Sequence, residues 1–181
     1  MNDLVIRRAT LDDIQGIYDV MVDTLYIQAF YGGRSFEAVR NEMIAKFFAE
    51  NVFAFVACDG DKIIGYCIFA PYAKYFNPDK GLPDRVEFAG KTYDLRGYAY
   101  SLGTGVLESL RGKRIGFALR QFVDAQMKKE GFSGIVTDCN PENTRSIKNQ
   151  INVGMIKVAE VPCKRSPTRP SGINTIWIKP F

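Results

Sequence analysis

The stretch 106-VLESLRGKRIGFAL-119 joins a strand-like run to a helix-like one through three cations and two glycines. Lys and Arg at a helix N-terminus oppose the helix dipole, which favours acids there. A bound anion at Arg111, Lys113 and Arg114 would repair that mismatch, and the free N–H groups of the first helical turn point at the same place. Gly112 and Gly116 let a bulky phosphate approach the backbone. A diphosphate ligand therefore explains the stretch better than a solvated charged surface does. Two phosphate motifs fail against it. A Walker A loop needs Ser or Thr after Gly-Lys, where this chain has Arg114, and its first glycine would fall at Leu107. A dinucleotide fingerprint begun at 103-GTG-105 would place its third glycine at Glu108.

Working outward, 97-GYAYSLGTGVL-107 is a long strand candidate leading into the turn, and Arg114 to Lys129 is a helix with Gly131 as its left-handed cap. Upstream, Leu4 to Arg8 alternates like a short strand, and Thr10 caps a helix with Asp12 and Asp13 in its first turn. Leu11, Ile14, Ile17, Tyr18, Met21 and Leu25 recur at helical spacing, and Phe36, Val39, Met43, Ile44, Phe47 and Phe48 mark a second helix after 32-GGRS-35. The runs 52-VFAFVAC-58 and 62-KIIGYCIFA-70 read as a hairpin turning at Asp59-Gly60, residues 71–85 as a loop, and 86-VEFAGKTYDL-95 as a small hairpin turning at Ala89-Gly90. Downstream, 133-SGIVTD-138 is a buried strand. The segment 140-NPENTRSIKNQINVG-154 is a helix with Asn140 as cap and Pro141 at its first position. Val158 to Val161 and 173-INTIWIK-179 close the sheet. The order β-α-α-β-β-β-α-β-α-β-β describes one mixed α/β domain over residues 1–181, with a largely antiparallel sheet flanked by about four helices and residues 71–95 as an insertion.

Composition narrows the function. The chain has 181 residues, 46% of them hydrophobic, and a net charge of +4. That suits an anionic small molecule as well as a nucleic acid. The cations are local and lack interleaved aromatics, so no nucleic-acid partner is expected. No signal peptide or membrane span is expected, and Cys58, Cys67, Cys139 and Cys163 contain no CxxC pair and read as reduced cytoplasmic residues. The chain contains no histidine, which removes Ser-His-Asp and Cys-His nucleophiles and histidine-ligated zinc. No metal is expected.

A third phosphate pattern does fit. Arg111-Gly112-Lys113-Arg114-Ile115-Gly116 resembles the acetyl-CoA pyrophosphate loop of the GNAT superfamily of acyltransferases, Arg/Gln-x-x-Gly-x-Gly/Ala, with Arg114 where the first signature glycine belongs. The family's opening matches 7-RRATLDDI-14. Its second cofactor element, an Asn, a small residue three later and a Gly-hydrophobic pair eleven and twelve later, matches Asn143, Ser146 and Gly154-Met155. The resemblance implies an N-acetyltransferase with acetyl-CoA as co-substrate and a small-molecule or peptide primary amine as acceptor, working as a monomer or homodimer. It places the diphosphate on the loop through Phe117, has the amides around Val106 and Leu107 bind pantetheine and polarise the thioester, and gives Asn143 a ligand-bonding role.

Proton transfer is where the chain departs from that pattern. Relatives often carry a Tyr seven residues after the Asn, and here that position is Gln150, which cannot act as an acid. Tyr98 or Tyr100 could replace it. Glu108 and Asp138, each just past or at a strand end, are base candidates, and Tyr26, Phe30 and Tyr31 are candidates to line the acceptor side. The competing readings are a non-catalytic acyl-CoA binding module and, more weakly, a nucleic-acid binder.

Overall fold

The computed structural model describes residues 4–24, 26–74, 82–164 and 170–181. Leu25 of the first helical pattern and part of the 71–85 loop lie outside them. A seven-stranded sheet has the order β1-β2-β3-β6-β7-β9-β8, and β4 and β5 pair separately. The chain forms two compact units, Met1–Phe69 with Leu102–Val123, and Ala70–Ser101 with Asp124–Phe181.

In the first unit, β1 (Leu4–Arg8) and β2 (Phe53–Asp59) run antiparallel, as do β2 and β3 (Lys62–Pro71). Phe53 to Cys58 are all buried. Such an unbroken apolar run belongs to a strand covered on both faces. The helices supply matching apolar stripes: Ile14, Ile17, Val20 and Met21 from α1 (Ile14–Asp23), and Val39, Met43 and Phe47 from α3 (Phe36–Phe47). Ile115, Leu119 and Val123 of α4 (Ile115–Lys129) are buried as well. The entry to α1 is tied by one carboxylate. Asp13 accepts from Arg7 through both oxygens at 2.7 and 2.8 Å and from the Thr10 N–H at 2.7 Å.

Three local expectations are corrected. The first helical pattern is broken, with a 3-10 turn at Leu11–Asp13 before α1 and a separate α2 (Tyr26–Tyr31) after it. Thr24 causes the stop, because its hydroxyl donates to the carbonyls of Val20 at 2.8 Å and Met21 at 3.3 Å and so satisfies the last turn. The β2–β3 turn is Gly60-Asp61, since Asp59 still pairs with Lys62. Gly60 takes the positive φ of 59° that a tight hairpin needs. The strand expected from Gly97 starts at Ala99, after a 3-10 turn at Leu95–Gly97.

In the second unit, the N-terminal end of β6 (Ala99–Val106) runs parallel to β7 (Gly134–Cys139) through two pairs, Ala99↔Ile135 and Tyr100↔Val136. Strand β7 pairs antiparallel with β9 (Ile173–Pro180), which pairs with β8 (Ile156–Pro162). The hairpin β4 (Arg85–Phe88) and β5 (Lys91–Asp94) turns at Ala89-Gly90, both at positive φ. Tyr72, Leu82, Val86, Leu95 and Tyr98 form one apolar cluster with Val136, Ile176 and Ile178. Among the described residues, no helix is long and apolar enough to cross a membrane.

Candidate functional site

The turn between β6 and α4 is built from a short 3-10 turn, Glu108–Leu110, followed by two left-handed residues. Gly112 has φ 80° and Arg114 φ 60°. A side chain at Gly112 would meet nothing within 4 Å, so the glycine answers to backbone conformation and leaves open space above the turn. At Gly116 an added Cβ would touch only Val106, at 3.7 Å. The Arg114 carbonyl accepts from the Ala118 N–H at 3.0 Å, which makes Arg114 the residue from which α4 starts. Among the described residues, the N–H groups of Gly112, Arg114, Ile115, Gly116 and Phe117 have no acceptor. Five N–H donors in one turn, with the exposed side chains of Lys113 and Arg114 and with Phe117 41% exposed beside them, form a positive surface.

Two residues expected in this turn are otherwise engaged. Leu107 donates its N–H to the Ile64 carbonyl at 3.0 Å, so it has no amide to offer a thioester, and that expectation is corrected. Glu108 donates its N–H to Asp23 Oδ2 at 2.5 Å, and its carboxylate is ion-paired with Arg111. That pair occupies the Glu108 carboxylate, which has to leave Arg111 before it can meet an amine. Arg111 is held by the same pair, away from full availability to an anion.

The aromatic candidates divide. Tyr26 and Phe30 stack with centroids 4.2 Å apart, Phe30 is 54% exposed, and the Tyr26 hydroxyl donates to the Leu102 carbonyl at 3.2 Å. Tyr31 is core instead. Only 4% of it is exposed, and burial pushes its phenol up to about 12. It cannot line a substrate surface.

In the second unit, the phenol of Tyr100 donates to Asp138 Oδ1, and the Asn174 side chain donates to Asp138 Oδ2 at 2.6 Å. Tyr72 packs edge-on to Tyr100 with centroids 5.6 Å apart. Burial, with the nearby Asp138 charge adding to it, raises the Tyr72 phenol far above its ordinary value. Two residues named separately from the sequence thus share a hydrogen bond at the point where the β6–β7 ladder ends. Asn174 was missed, because nothing in 173-INTIWIK-179 distinguishes it from an ordinary strand residue.

The second cofactor element also differs from expectation. Helix α5 (Thr144–Asn152) starts at Asn143, whose Oδ1 accepts from the Ser146 N–H at 3.0 Å. Asn140 makes a turn instead, its Oδ1 accepting from the Glu142 N–H at 3.0 Å. Asn143 is therefore the cap, and its NH₂ group makes no hydrogen bond among the described residues. It can hold the helix with one end and a ligand with the other. Gln150 donates to the Ser146 hydroxyl at 3.5 Å. Gly154, at φ 79°, ends the helix and lets Met155 turn into the core. Among the described residues, no cluster of acidic or sulfur side chains is placed to hold a metal.

No curated protein matches the chain in sequence. Among solved structures, a ribosomal-protein-alanine N-acetyltransferase from Brucella melitensis superposes with a TM-score of 0.71 at 16% identity, over 98% of this chain and 100% of that one. A ribosomal-protein-S18-alanine N-acetyltransferase from Escherichia coli gives 0.67 at 13% identity, over 98% and 94%. A GCN5-related N-acetyltransferase from Kribbella flavida gives 0.67 at 19%, over 98% of each chain. At such identities these likenesses establish the fold. The model of the acetyltransferase (GNAT) family matches residues 19–149, more than half of the chain. The chain belongs to the GNAT acetyltransferase family and is an acyltransferase.

Proposed function

We propose that residues 1–181 work as one domain that moves an acetyl group from acetyl-CoA to a primary amine of a small molecule or peptide by direct attack. The observation that carries this reading is the run of five unsatisfied N–H groups from Gly112 to Phe117. A diphosphate fits that donor set and its open glycines, with Lys113 and Arg114 opposing its charge and Arg111 joining once it leaves Glu108. Val106 and Phe117 offer apolar contact to the rest of the coenzyme, Ile115, whose side chain is buried, offers only its N–H, and Asn143 with Ser146 offers polar contact. Tyr26 and Phe30 present an aromatic face to the acceptor.

Acetyl-CoA supplies the activated thioester, and the chain handles protons. Asp138 takes one proton from the incoming ammonium, and Tyr100 gives one to the departing thiolate. Their shared hydrogen bond returns the proton from Asp138 to Tyr100, and the second proton shed by nitrogen leaves to water. Tyr100 thereby serves in place of the tyrosine absent at Gln150. We further propose a reducing, cytoplasmic setting, which four free cysteines support.

The test is thiol release from acetyl-CoA with polyamines, aminoglycosides, amino acids and N-terminal peptides. An alanyl peptide belongs among them because two structural neighbours are named for ribosomal-protein alanine. Turnover with at least one amine is expected, with kcat lowered by roughly a hundredfold in Asp138→Asn. Binding of acetyl-CoA without thiol release to any amine would contradict the reading.

A further inference from the structure

Asn174 stands on β9 next to Thr175, which pairs with Cys139, so its side chain reaches the end of β7 where Asp138 lies. It is 2% exposed. Its orientation is dictated by charge: a carboxylate accepts only, so the NH₂ group must face Asp138 and the carbonyl must face away. That carbonyl, Oδ1, is buried and has no hydrogen-bond partner among the described residues. An unmatched buried acceptor is destabilising, and a strand interior bounded by Ile176 and Ile178 would take an aliphatic side chain without that cost. The charge-assisted bond to Asp138 offsets that cost, so stability alone does not favour Asn here over an aliphatic residue. What it does provide is a second anchor on Asp138, opposite the one from Tyr100.

We propose that Asn174 is a positioning residue, fixing the Asp138 carboxylate so that one oxygen stays aligned with the Tyr100 phenol while protons pass between them. This rests on the reading of Asp138 as proton acceptor. With Asn174 absent, the carboxylate rotates about its side-chain bonds, and only a fraction of its orientations keeps the Tyr100 contact. Small misalignments at a proton-transfer pair are costly to rate and leave coenzyme binding at the β6–α4 turn untouched.

The experiment is a double-mutant cycle on thiol release, using acetyl-CoA and whichever amine the wild type acetylates fastest. Asn174→Leu keeps the branching at Cγ, adds some bulk and removes the donor. It should lower kcat by about tenfold or more, leave KM for acetyl-CoA unchanged, and hold or raise Tm. A gain in Tm together with a loss in kcat is a result that a merely structural residue does not give. In an Asp138→Asn background, Asn174→Leu should have no further effect on kcat, because the group it positions is gone. Asn174→Thr keeps a hydroxyl donor on a strand-forming residue and should fall between wild type and Asn174→Leu. If Asn174→Leu fails to fold, the cycle is run with Asn174→Thr. Equal losses in both backgrounds, an unchanged kcat, or a loss that tracks Tm would overturn the proposal. An unchanged kcat in Asp138→Asn alone would instead overturn the proton-acceptor reading beneath it.

Discussion

Arg114 occupies a left-handed conformation, φ 60°, that costs a side-chain-bearing residue about 1 kcal/mol. The family pattern places glycine at this position, and the geometry shows why. Arg114→Gly relieves the strain but returns backbone freedom to the unfolded chain, two effects of similar size. Its melting temperature should stay near that of wild type, whereas Arg114→Val, β-branched, should lose about 1–2 kcal/mol. Arg114→Gly should also bind acetyl-CoA more weakly, with the deficit shrinking at high salt, because it removes a cation and keeps the turn. A glycine variant that melts far below wild type would contradict the backbone argument. A second residue-scale outcome concerns the two asparagines. Asn143→Ala should cost about 1 kcal/mol as a lost cap, and Asn140→Ala less, as thermal melts will show. The sequence pointed to Asn140 because Asn-Pro-Glu is a sound helix start, but the following turn delays the helix to Thr144.

At the scale of the element, the Arg7–Asp13 pair fastens the end of β1 to the start of α1. The hydrogen bonds from Arg7 hold the Asp13 carboxyl below its ordinary value, with the Thr10 N–H adding to the effect against desolvation. The sign follows from linkage. A depressed folded-state value means stability that is present above the unfolded value near 3.8 and lost as pH falls through the lower folded value. Asp13→Asn should therefore melt below wild type at pH 7, by about 1–2 kcal/mol once screening of the half-exposed Arg7 is allowed for. The gap should close as pH drops below 4, which melts across pH 2–7 measure directly. A gap that persists at pH 2 would show that shape rather than charge matters at Asp13. Most elements were legible from period alone: β2 as a continuous apolar run, α4 as an amphipathic stretch ended by Gly131, and the hairpin at Ala89-Gly90. The break between α1 and α2 was not, because Thr24 stops the helix with a hydroxyl while the apolar spacing runs on past it.

Across the whole molecule, the element order and the largely antiparallel sheet follow from local signals, and with them the family. The turn proposed to hold the coenzyme stands out for the same reason, since Arg111 to Gly116 are contiguous and their charge conflicts with a helix start. The hydrogen-bonded cluster proposed to handle protons was only half readable. Tyr100, Asp138 and Asn174 are separated by 38 and 36 residues, and strand pairing rather than sequence spacing brings them together. The burial of Tyr31 and the pairing of the Leu107 N–H were not legible, because both are set by partners distant in sequence. The proposed acetyl transfer depends most on the β6–α4 turn holding the diphosphate of acetyl-CoA. Calorimetric titration of acetyl-CoA into wild type and Gly116→Leu tests it most directly, because an added Cβ meets only Val106, at the ordinary contact distance of 3.7 Å, and puts bulk beside the N–H groups of the turn. The wild type should bind saturably at one site, and Gly116→Leu should keep its melting temperature and bind about tenfold more weakly or worse, a loss of at least about 1.4 kcal/mol. Equal affinity in the two proteins, or no binding by the wild type, would contradict it.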